Sequence, residues 1–451
     1  MKLTYDVKDK PKFGQLIVFA FQQLLAILAA TIAVPSIIQN GMSQSAALFG
    51  AGVGTIVYLL FTKFRSPVFL GSSFAFLGSM SAAFAGAYAE SAAGHAGLIL
   101  GAVFAGLVYV IIAIAVKIAG VKWINKIMPA VVIGPTVSII GLSLAGNAIG
   151  DLTNSAGTCT ASPYVCIVCG LVTLFTVVIC SVYGKKTAKL IPFIIGILAG
   201  YVVAAIFTVI GIKTGNDAIK VIDFTIFSGM KIFSVPDFTF MEAFKGIKEI
   251  DGGYIASIAV AYVPVAFVVF AEHIADHKNL SSVIGKELLE DPGLHRTLLG
   301  DGVGSMIGAF FGGCPNTTYG ESVGCVAITG NASVVTILTT AVMAMVISFF
   351  GPFVTFLSSI PSCVMGGVCI TLYGFIAVSG LKMIQKVDLD ANKNLFVVAV
   401  ILICGIGNLS ISFGKVTLTS IACALILGII TNAVLHRGDK EESELDEARD
   451  R

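Results

Sequence analysis

The chain has 451 residues, 56% of them hydrophobic and 12% charged, with a mean hydropathy of +0.95. Soluble domains carry about 25% charged residues, so a soluble fold of this size would have no way to cover its surface, and a net charge of +2 gives no basic footprint for nucleic acid. Continuous apolar runs, in place of alternating segments of about ten residues, exclude a transmembrane β-barrel and point to an all-α, multi-spanning membrane protein.

Six of the 54 charged residues lie in Met1–Phe13 and eleven in Arg437–Arg451. Residues 1–14 therefore read as a polar N-terminal segment and 437–451 as a charged tail. The apolar run from about 15 to 38 is too long for a signal-peptide core and has no small-residue cleavage site, so it is read as a first span. A span needs roughly 20 apolar residues, and fourteen runs qualify or nearly qualify. The first seven fall near 15–38, 45–63, 68–85, 95–118, 128–148, 164–182 and 188–212. The second seven fall near 252–275, 294–312, 315–330, 332–351, 358–380, 394–411 and 415–436. The chain thus divides into a seven-span repeat at 15–212, a linker at 213–250 with an amphipathic piece around Phe238–Ile250, and a second repeat at 251–436.

Alternate short loops are basic, with Lys63 and Arg65, then Lys117, Lys122 and Lys126, then Lys185, Lys186 and Lys189. The series continues with Lys278, Lys286 and Arg296, and then Lys382, Lys386 and Lys393. The loops near 39–44, 85–95 and 149–163 contain no lysine or arginine. The positive-inside rule places the basic loops and both termini in the cytoplasm, which requires an even number of spans.

Two segments recur in order. Met128-Pro129-Ala130-Val131-Val132-Ile133-Gly134 matches Ile360-Pro361-Ser362-Cys363-Val364-Met365-Gly366 after 232 residues. Gly71-Ser72-Ser73-Phe74-Ala75-Phe76 resembles Asn316-Thr317-Thr318-Tyr319-Gly320-Glu321 in pattern after 245 residues. With seven spans per half, the second copy enters from the opposite face. That is an inverted repeat, an architecture common among secondary transporters.

The third span of each half is irregular, because proline, glycine and hydroxyl clusters at span depth break a helix. Irregular backbone is tolerated there where protein buries it or it lines a cavity, and paired broken spans point to a transporter binding site. Half-helices starting near Phe74 and Tyr319 would aim free backbone N–H groups at the centre. The competing reading makes both segments small-residue packing seams, but Glu321 lies in the second of them.

Intramembrane carboxylates are functional candidates by default. Glu272 ends the apolar run Val263–Ala271, and Asp276 follows one helical turn later on the same face. Two acids one turn apart, with no intramembrane lysine or arginine nearby, suit a proton-carrying pair. Asp276 and His277 are equally compatible with the cytoplasmic end of the helix, and His273 reads as a packing residue. Asp301, in a Gly-rich span, reads as a partner for neighbouring helices. The ten cysteines are mostly single and embedded in apolar runs, where they act as small hydrophobes. Cys159 and Cys166, which flank a polar loop, are the pair open to oxidation. The five histidines are read as supplying no metal cluster, so neither metal nor catalysis is expected.

Ala271-Glu272-His273, the loop Asp291-Pro292-Gly293-Leu294-His295-Arg296 and Pro315-Asn316-Thr317-Thr318-Tyr319-Gly320-Glu321 resemble signatures of the nucleobase–ascorbate transporter (nucleobase:cation symporter-2) family. Gly71–Phe76 and Met365-Gly366-Gly367 extend the resemblance over nearly the whole chain. Within the family the sequence is most similar to bacterial uracil permeases, because Glu321 stands where purine-preferring members carry glutamine. The resemblance implies fourteen spans in two inverted repeats, with short antiparallel strands in spans 3 and 10. Spans 1–4 and 8–11 would form a core domain, and spans 5–7 and 12–14 a gate domain. It also implies proton-coupled uptake of uracil across the bacterial inner membrane, no cofactor beyond H+ as coupling ion, and a lipid-embedded homodimer. Ala30, Phe74, Glu272, Gly320 and Glu321 would contact the base, with Tyr319 bracing the site and Glu272 and Asp276 carrying the proton. Some uracil permeases have histidine where Asp276 stands, and other members have aspartate. A purine or xanthine symporter of the same family, and an anion transporter of the same architecture, are the alternative readings.

Overall fold

A bilayer interior offers no water to backbone N–H and C=O groups, so long apolar runs must close their hydrogen bonds internally as helices. A computed structural model of the chain describes residues 3–85, 91–120, 129–156, 159–185, 187–413 and 416–435. Lys2, Lys122, Lys126, Met128, Lys186 and the tail 437–451 lie outside the described residues.

Each span of the sequence reading corresponds to a helix, and these helices are labelled in order. The first repeat holds α1 (Phe13–Ile38), α2 (Gln44–Phe61), α3 (Leu77–Ala83), α4 (Ser91–Ala119), α5 (Ala130–Ser143), α6 (Pro163–Tyr183) and α7 (Pro192–Thr214). The second holds α8 (Gly252–Ile284), α9 (Leu294–Gly312), α10 (Gly320–Thr329), α11 (Val334–Ile347), α12 (Ser362–Ile384), α13 (Asn392–Ile406) and α14 (Ser420–Leu435). By length and composition, eight helical segments of the described residues suffice to cross a membrane: α1, α2, α4, α5 with its continuation to Asp151, α6, α7, α8 and α12. The shorter α3 and α10 each follow a three-residue strand, β1 (Leu70–Ser72) and β2 (Asn316–Thr318).

The repeat is visible in how helices start. Pro129 immediately precedes α5 and Pro361 immediately precedes α12, so the matching proline motifs occupy the same structural position. Proline needs no N–H partner and suits a helix start.

Two helix pairs seven apart in order, α2 with α9 and α5 with α12, pack closely, with glycines at the contact. A Cβ on Gly50 of α2 would lie 2.3 Å from Gly308 O of α9, and one on Gly54 would lie 2.7 Å from Gly304 O. A Cβ on Gly141 of α5 would lie 2.3 Å from Tyr373 O of α12, and one on Gly380 of α12 would lie 2.3 Å from Ser138 N. Small residues let backbones approach where lipid removes the hydrophobic incentive to associate. Around them α1, α2, α4, α8, α9 and α11 pack as one group, and α5, α6, α7, α12, α13 and α14 as another.

The linker is better packed than the word suggests. Its amphipathic helix Thr239–Gly246 sets Phe240 against Phe310 in a stack 4.9 Å between ring centroids, and Phe238 against Phe49 at 5.0 Å. Upstream, the amides of Val221 and Ile222 both donate to Thr208 Oγ1 of α7 at 3.0 Å. One boundary also moves. α8 continues to Ile284, so Asp276 and His277 sit two turns inside the helix and the connector to α9 begins later than Lys278. Cys159 and Cys166 are both free, and Cys166 is fully buried beside Cys363.

The N-terminal segment is strapped to the α10–α11 turn. Thr4 N donates to Gly330 O at 2.8 Å, Ala332 N to Tyr5 O at 2.9 Å and Val334 N to Val7 O at 3.1 Å. Asp6 accepts from Lys286 Nζ at 2.6 Å, and this bond holds the Asp6 carboxyl below its usual range.

Candidate functional site

The centre of the molecule is built on the crossing of the two broken spans. β1 and β2 pair antiparallel, with Leu70 opposite Thr318, Gly71 opposite Thr317 and Ser72 opposite Asn316. Three-residue strands cannot satisfy their outer edges alone, so neighbouring helices complete them. Thr55 Oγ1 of α2 accepts from Leu70 N at 2.9 Å, and Ser322 Oγ accepts from Phe69 N at 3.1 Å and from Gln23 Nε2 at 2.6 Å. Asn316 Nδ2 donates to Gly50 O at 3.2 Å, filling the space that Gly54 and Gly308 leave open.

Where the strands end, two half-helices begin, a short turn Phe74–Phe76 running into α3 and α10 from Gly320. Their first-turn amides have no partner within their own helices. They border a cavity of about 350 Å³ whose lining includes Phe74, Glu272, Asp276, Tyr319, Gly320 and Glu321. Six of the seven residues singled out from the sequence thus meet at one cavity. The seventh, Ala30, is buried in α1 and is not part of the lining.

Each acid has a distinct setting. Asp276 Oδ2 accepts from Thr318 Oγ1 at 2.7 Å, which ties α8 to β2. Glu272, one turn earlier, has no hydrogen-bond partner among the described residues and borders the cavity, as does Glu321 in the first turn of α10. Among the described residues, no lysine or arginine lines the cavity. The Tyr319 hydroxyl donates to Ser72 O at 2.8 Å, so the ring lies across Gly71 and locks the two strands together. Ser73 Oγ, also at the cavity, is buried without a partner among the described residues.

The far wall comes from three helices whose lining residues lie outside the motifs read from the sequence. Val137 and Ile140 of α5, Phe193 of α7, and Leu372, Phe375, Ile376, Ser379 and Met383 of α12 complete the lining. Phe74 meets Tyr373 edge-on, 5.9 Å between centroids. Phe74 and Ile140 also border a second cavity of about 190 Å³ that reaches Asn147, Asn408 and Thr419, so these two side chains form the partition between two cavities.

Behind Glu272 lies a separate buried polar network. His273 Nδ1 bonds Asp301 Oδ2 at 2.6 Å and its Nε2 bonds Thr297 Oγ1 at 3.0 Å. His277 Nδ1 donates to His273 O at 2.8 Å, and the Tyr58 hydroxyl bonds both His277 Nε2 and Ser66 Oγ at 2.7 Å. The two histidines sit one turn apart on one face of α8, a spacing that also serves metal ligation, yet here each is used up by hydrogen bonds. No group of three or more His, Cys, Asp or Glu among the described residues is arranged to hold a metal. Asp301 and His273 are thus partners across α8 and α9, the packing role the sequence suggested.

The comparisons with known proteins agree with this geometry. The family model described as "Permease family" matches residues 14–412. A uracil permease of Bacillus caldolyticus is 38% identical over 96% of this chain and 95% of its own, and one of Bacillus subtilis is 36% identical over 99% and 98%. The uracil permease of Escherichia coli K12 is 33% identical over 94% of this chain and 92% of its own. Among solved structures, the transmembrane domain of the cyanobacterial bicarbonate transporter BicA has a TM-score of 0.61 at 16% identity, covering 94% of this chain and 98% of that one. The murine Solute Carrier 26 family member A9 anion transporter, in the inward-facing state, has a TM-score of 0.65 at 12% identity, covering 96% and 69%. At such identities these two establish the inverted-repeat transporter fold alone. Strand crossing, facing half-helices and carboxylate-lined cavity occur together in a chain that belongs to the permease family of nucleobase:cation symporters, the nucleobase–ascorbate transporters, and is a transporter, not an enzyme.

Proposed function

We propose that this protein takes up uracil together with a proton across the bacterial inner membrane. The observation that carries the reading is the pair Glu272 and Glu321 at one small cavity without a cation, beside the first-turn amides of two half-helices. Uracil is planar and neutral near pH 7, with two N–H donors and two carbonyl acceptors. Ionised carboxylates only accept hydrogen bonds, so Glu272 and Glu321 suit the N–H groups, while the amides at Phe74 and Gly320 suit the carbonyls. Phe74 adds ring contact worth about 1–3 kcal/mol per base by analogy with aromatic–base stacking. Cytosine presents a different donor and acceptor order, so one buried group would stay unpaired, at a cost of about 1–3 kcal/mol.

Glu272 and Asp276 form the proton-carrying pair in this reading, with Thr318 fixing Asp276 to the strand that ends at the substrate. The two packing groups serve as a core domain (spans 1–4 and 8–11) and a gate domain (spans 5–7 and 12–14). Movement of one against the other exposes the cavity to each side in turn. Both termini are cytoplasmic, as the basic loops require. The family resemblance adds a homodimer.

The test is uptake of labelled uracil into cells lacking their own permease, with xanthine and uric acid as competitors. Uracil uptake that excess xanthine leaves unchanged is expected; uptake of xanthine with none of uracil overturns the reading. In proteoliposomes, substrate-driven uptake indifferent to a pH gradient removes proton coupling. Thr318→Val deletes one hydrogen bond to a charged group, worth about 1.5–3 kcal/mol. Initial uptake per molecule in the membrane should then fall about tenfold or more, while Thr318→Ser stays near wild type.

A further inference from the structure

A third cavity, of about 400 Å³, shares no lining residue with the one that holds Glu272 and Glu321 and lies among Val7, Lys8, Lys63, Phe64, Arg65, Val334, Val335 and Leu338. We propose that it is a specific binding site for an anionic phospholipid. Its headgroup phosphate would sit among Lys8, Lys63 and Arg65, with an acyl chain along α11. The inference goes beyond the transport reading and does not depend on which substrate is carried.

The charge at the site is left open by the fold. Among the described residues Arg65 and Lys286 are ion-paired, whereas neither Lys8 nor Lys63 is. The nearby acids are engaged elsewhere. Asp6 binds Lys286, Asp9 Oδ2 accepts from Asp6 N at 2.7 Å, and Asp291 pairs with Arg65. Asp6 and Lys286 cancel, and Lys8, Lys63 and Arg65 then stand against Asp9 and Asp291, which leaves one net positive charge.

The backbone holds these cations in place. Lys8 lies between Val7, whose carbonyl takes Val334 N at 3.1 Å, and Asp9, whose carbonyl takes Ser333 Oγ at 2.6 Å. Lys63 and Phe64 both have left-handed backbones, with φ of 53° and 55°. Two successive non-glycine residues in that region are unusual, and such conformations persist only where the surroundings impose them. Here Lys63 N bonds Leu60 O at 3.1 Å and Phe64 N bonds Leu59 O at 2.8 Å. The result presents Lys63 together with Phe64, which is 41% exposed.

The apolar part of the site continues outward. Val335 and Leu338 line the cavity, and the same face of α11 carries Val342 and Val346, 45% and 68% exposed. Spacings of three or four residues align these four in one stripe down the helix. A cationic pocket at the head of an exposed apolar stripe matches the two ends of a phospholipid. A free phosphate ion would use only the first. The orientation proposed above puts the site on the cytoplasmic leaflet, whose anionic lipids attract basic segments.

The test is native mass spectrometry of the full chain after exchange into mixed phosphatidylglycerol and phosphatidylcholine nanodiscs. Wild type should retain one phosphatidylglycerol in preference to phosphatidylcholine. Lys8→Gln/Lys63→Gln should lower that retention at least fivefold, whereas the matched exposed pair Lys382→Gln/Lys386→Gln should not. Millimolar glycerol 1-phosphate should leave the bound lipid in place; displacement by it would assign the site to a free phosphate and overturn the proposal. Thermal unfolding gives a second readout, since wild type should gain midpoint temperature in phosphatidylglycerol and the double variant should lose that gain. Equal retention and equal midpoints in both proteins would overturn the site.

Discussion

Glu272→Gln should abolish saturable uracil binding while the protein still reaches the membrane in normal amount. The substitution keeps volume and planarity but turns one carboxylate oxygen into an N–H₂ donor that faces a substrate N–H. A hydrogen bond to a charged acceptor contributes about 1.5–3 kcal/mol, and the mismatched donor adds a desolvation penalty of about 1–3 kcal/mol. At about 1.4 kcal/mol per tenfold, affinity falls by roughly a hundredfold or more. Glu272 has no hydrogen-bond partner among the described residues, so folding should be little disturbed. Glu321→Gln should behave similarly in binding, because Glu321 borders the same cavity from the first turn of α10. Isothermal titration with purified protein separates binding from transport, and wild-type affinity in both variants would sink the site assignment. Asp276→Asn provides the contrast. Asp276 is already bonded to Thr318 and belongs to the proton-carrying pair without being assigned a substrate contact, so its loss should weaken coupling to a pH gradient more than it weakens uracil binding.

Much of this architecture is legible in the sequence for a plain physical reason. A bilayer forces each crossing to be a long apolar helix, so the exceptions are conspicuous. The clusters Gly71-Ser72-Ser73 and Pro315-Asn316-Thr317-Thr318 cannot be ordinary helix at span depth, and the structure turns them into β1 and β2. Glu272 and Glu321 stand out because charge is costly there. The residues that were not legible are those whose role depends on approach from elsewhere. Val137, Ile140, Phe193 and Phe375 read as ordinary apolar span residues, and only the packing of α5, α7 and α12 opposite the strand crossing makes them cavity wall. Thr318 is visible within its motif, but its bond to Asp276 is not, since the partners are 42 residues apart. Lys8 and Lys63 read as ordinary positive-inside charges. Their convergence depends on the N-terminal strap and on two left-handed residues without the glycine that would have signalled them.

Gly71→Ala should be among the most damaging single-methyl changes in the protein, and its near neighbour Gly78→Ala among the mildest. A Cβ on Gly71 would sit 2.3 Å from two ring carbons of Tyr319 and 2.8 Å from its hydroxyl. The ring has little room to yield, because Tyr319 is 4% exposed and its hydroxyl is bound to Ser72 O. Relief must come from sliding β1 against β2 or from swinging Tyr319, and either one moves Gly320 and Glu321, which follow directly in the chain. Overpacking of this kind costs about 1–3 kcal/mol in stability. The displacement of the α10 start should cost substrate affinity a further ten- to hundredfold, given that well-placed hydrogen bonds contribute on the order of 1–3 kcal/mol. Gly78, in α3, has nothing within 4 Å of its added Cβ, and Gly324, in α10, likewise has open space. Alanine at either helical position removes a flexible residue and should leave the protein unchanged or more stable by about 0.5–1 kcal/mol. Thermal unfolding and uracil titration of the three variants side by side check this contrast. If Gly71→Ala binds uracil as Gly78→Ala does, Tyr319 is not the brace that aligns the two broken spans, and the site must tolerate a displaced strand crossing.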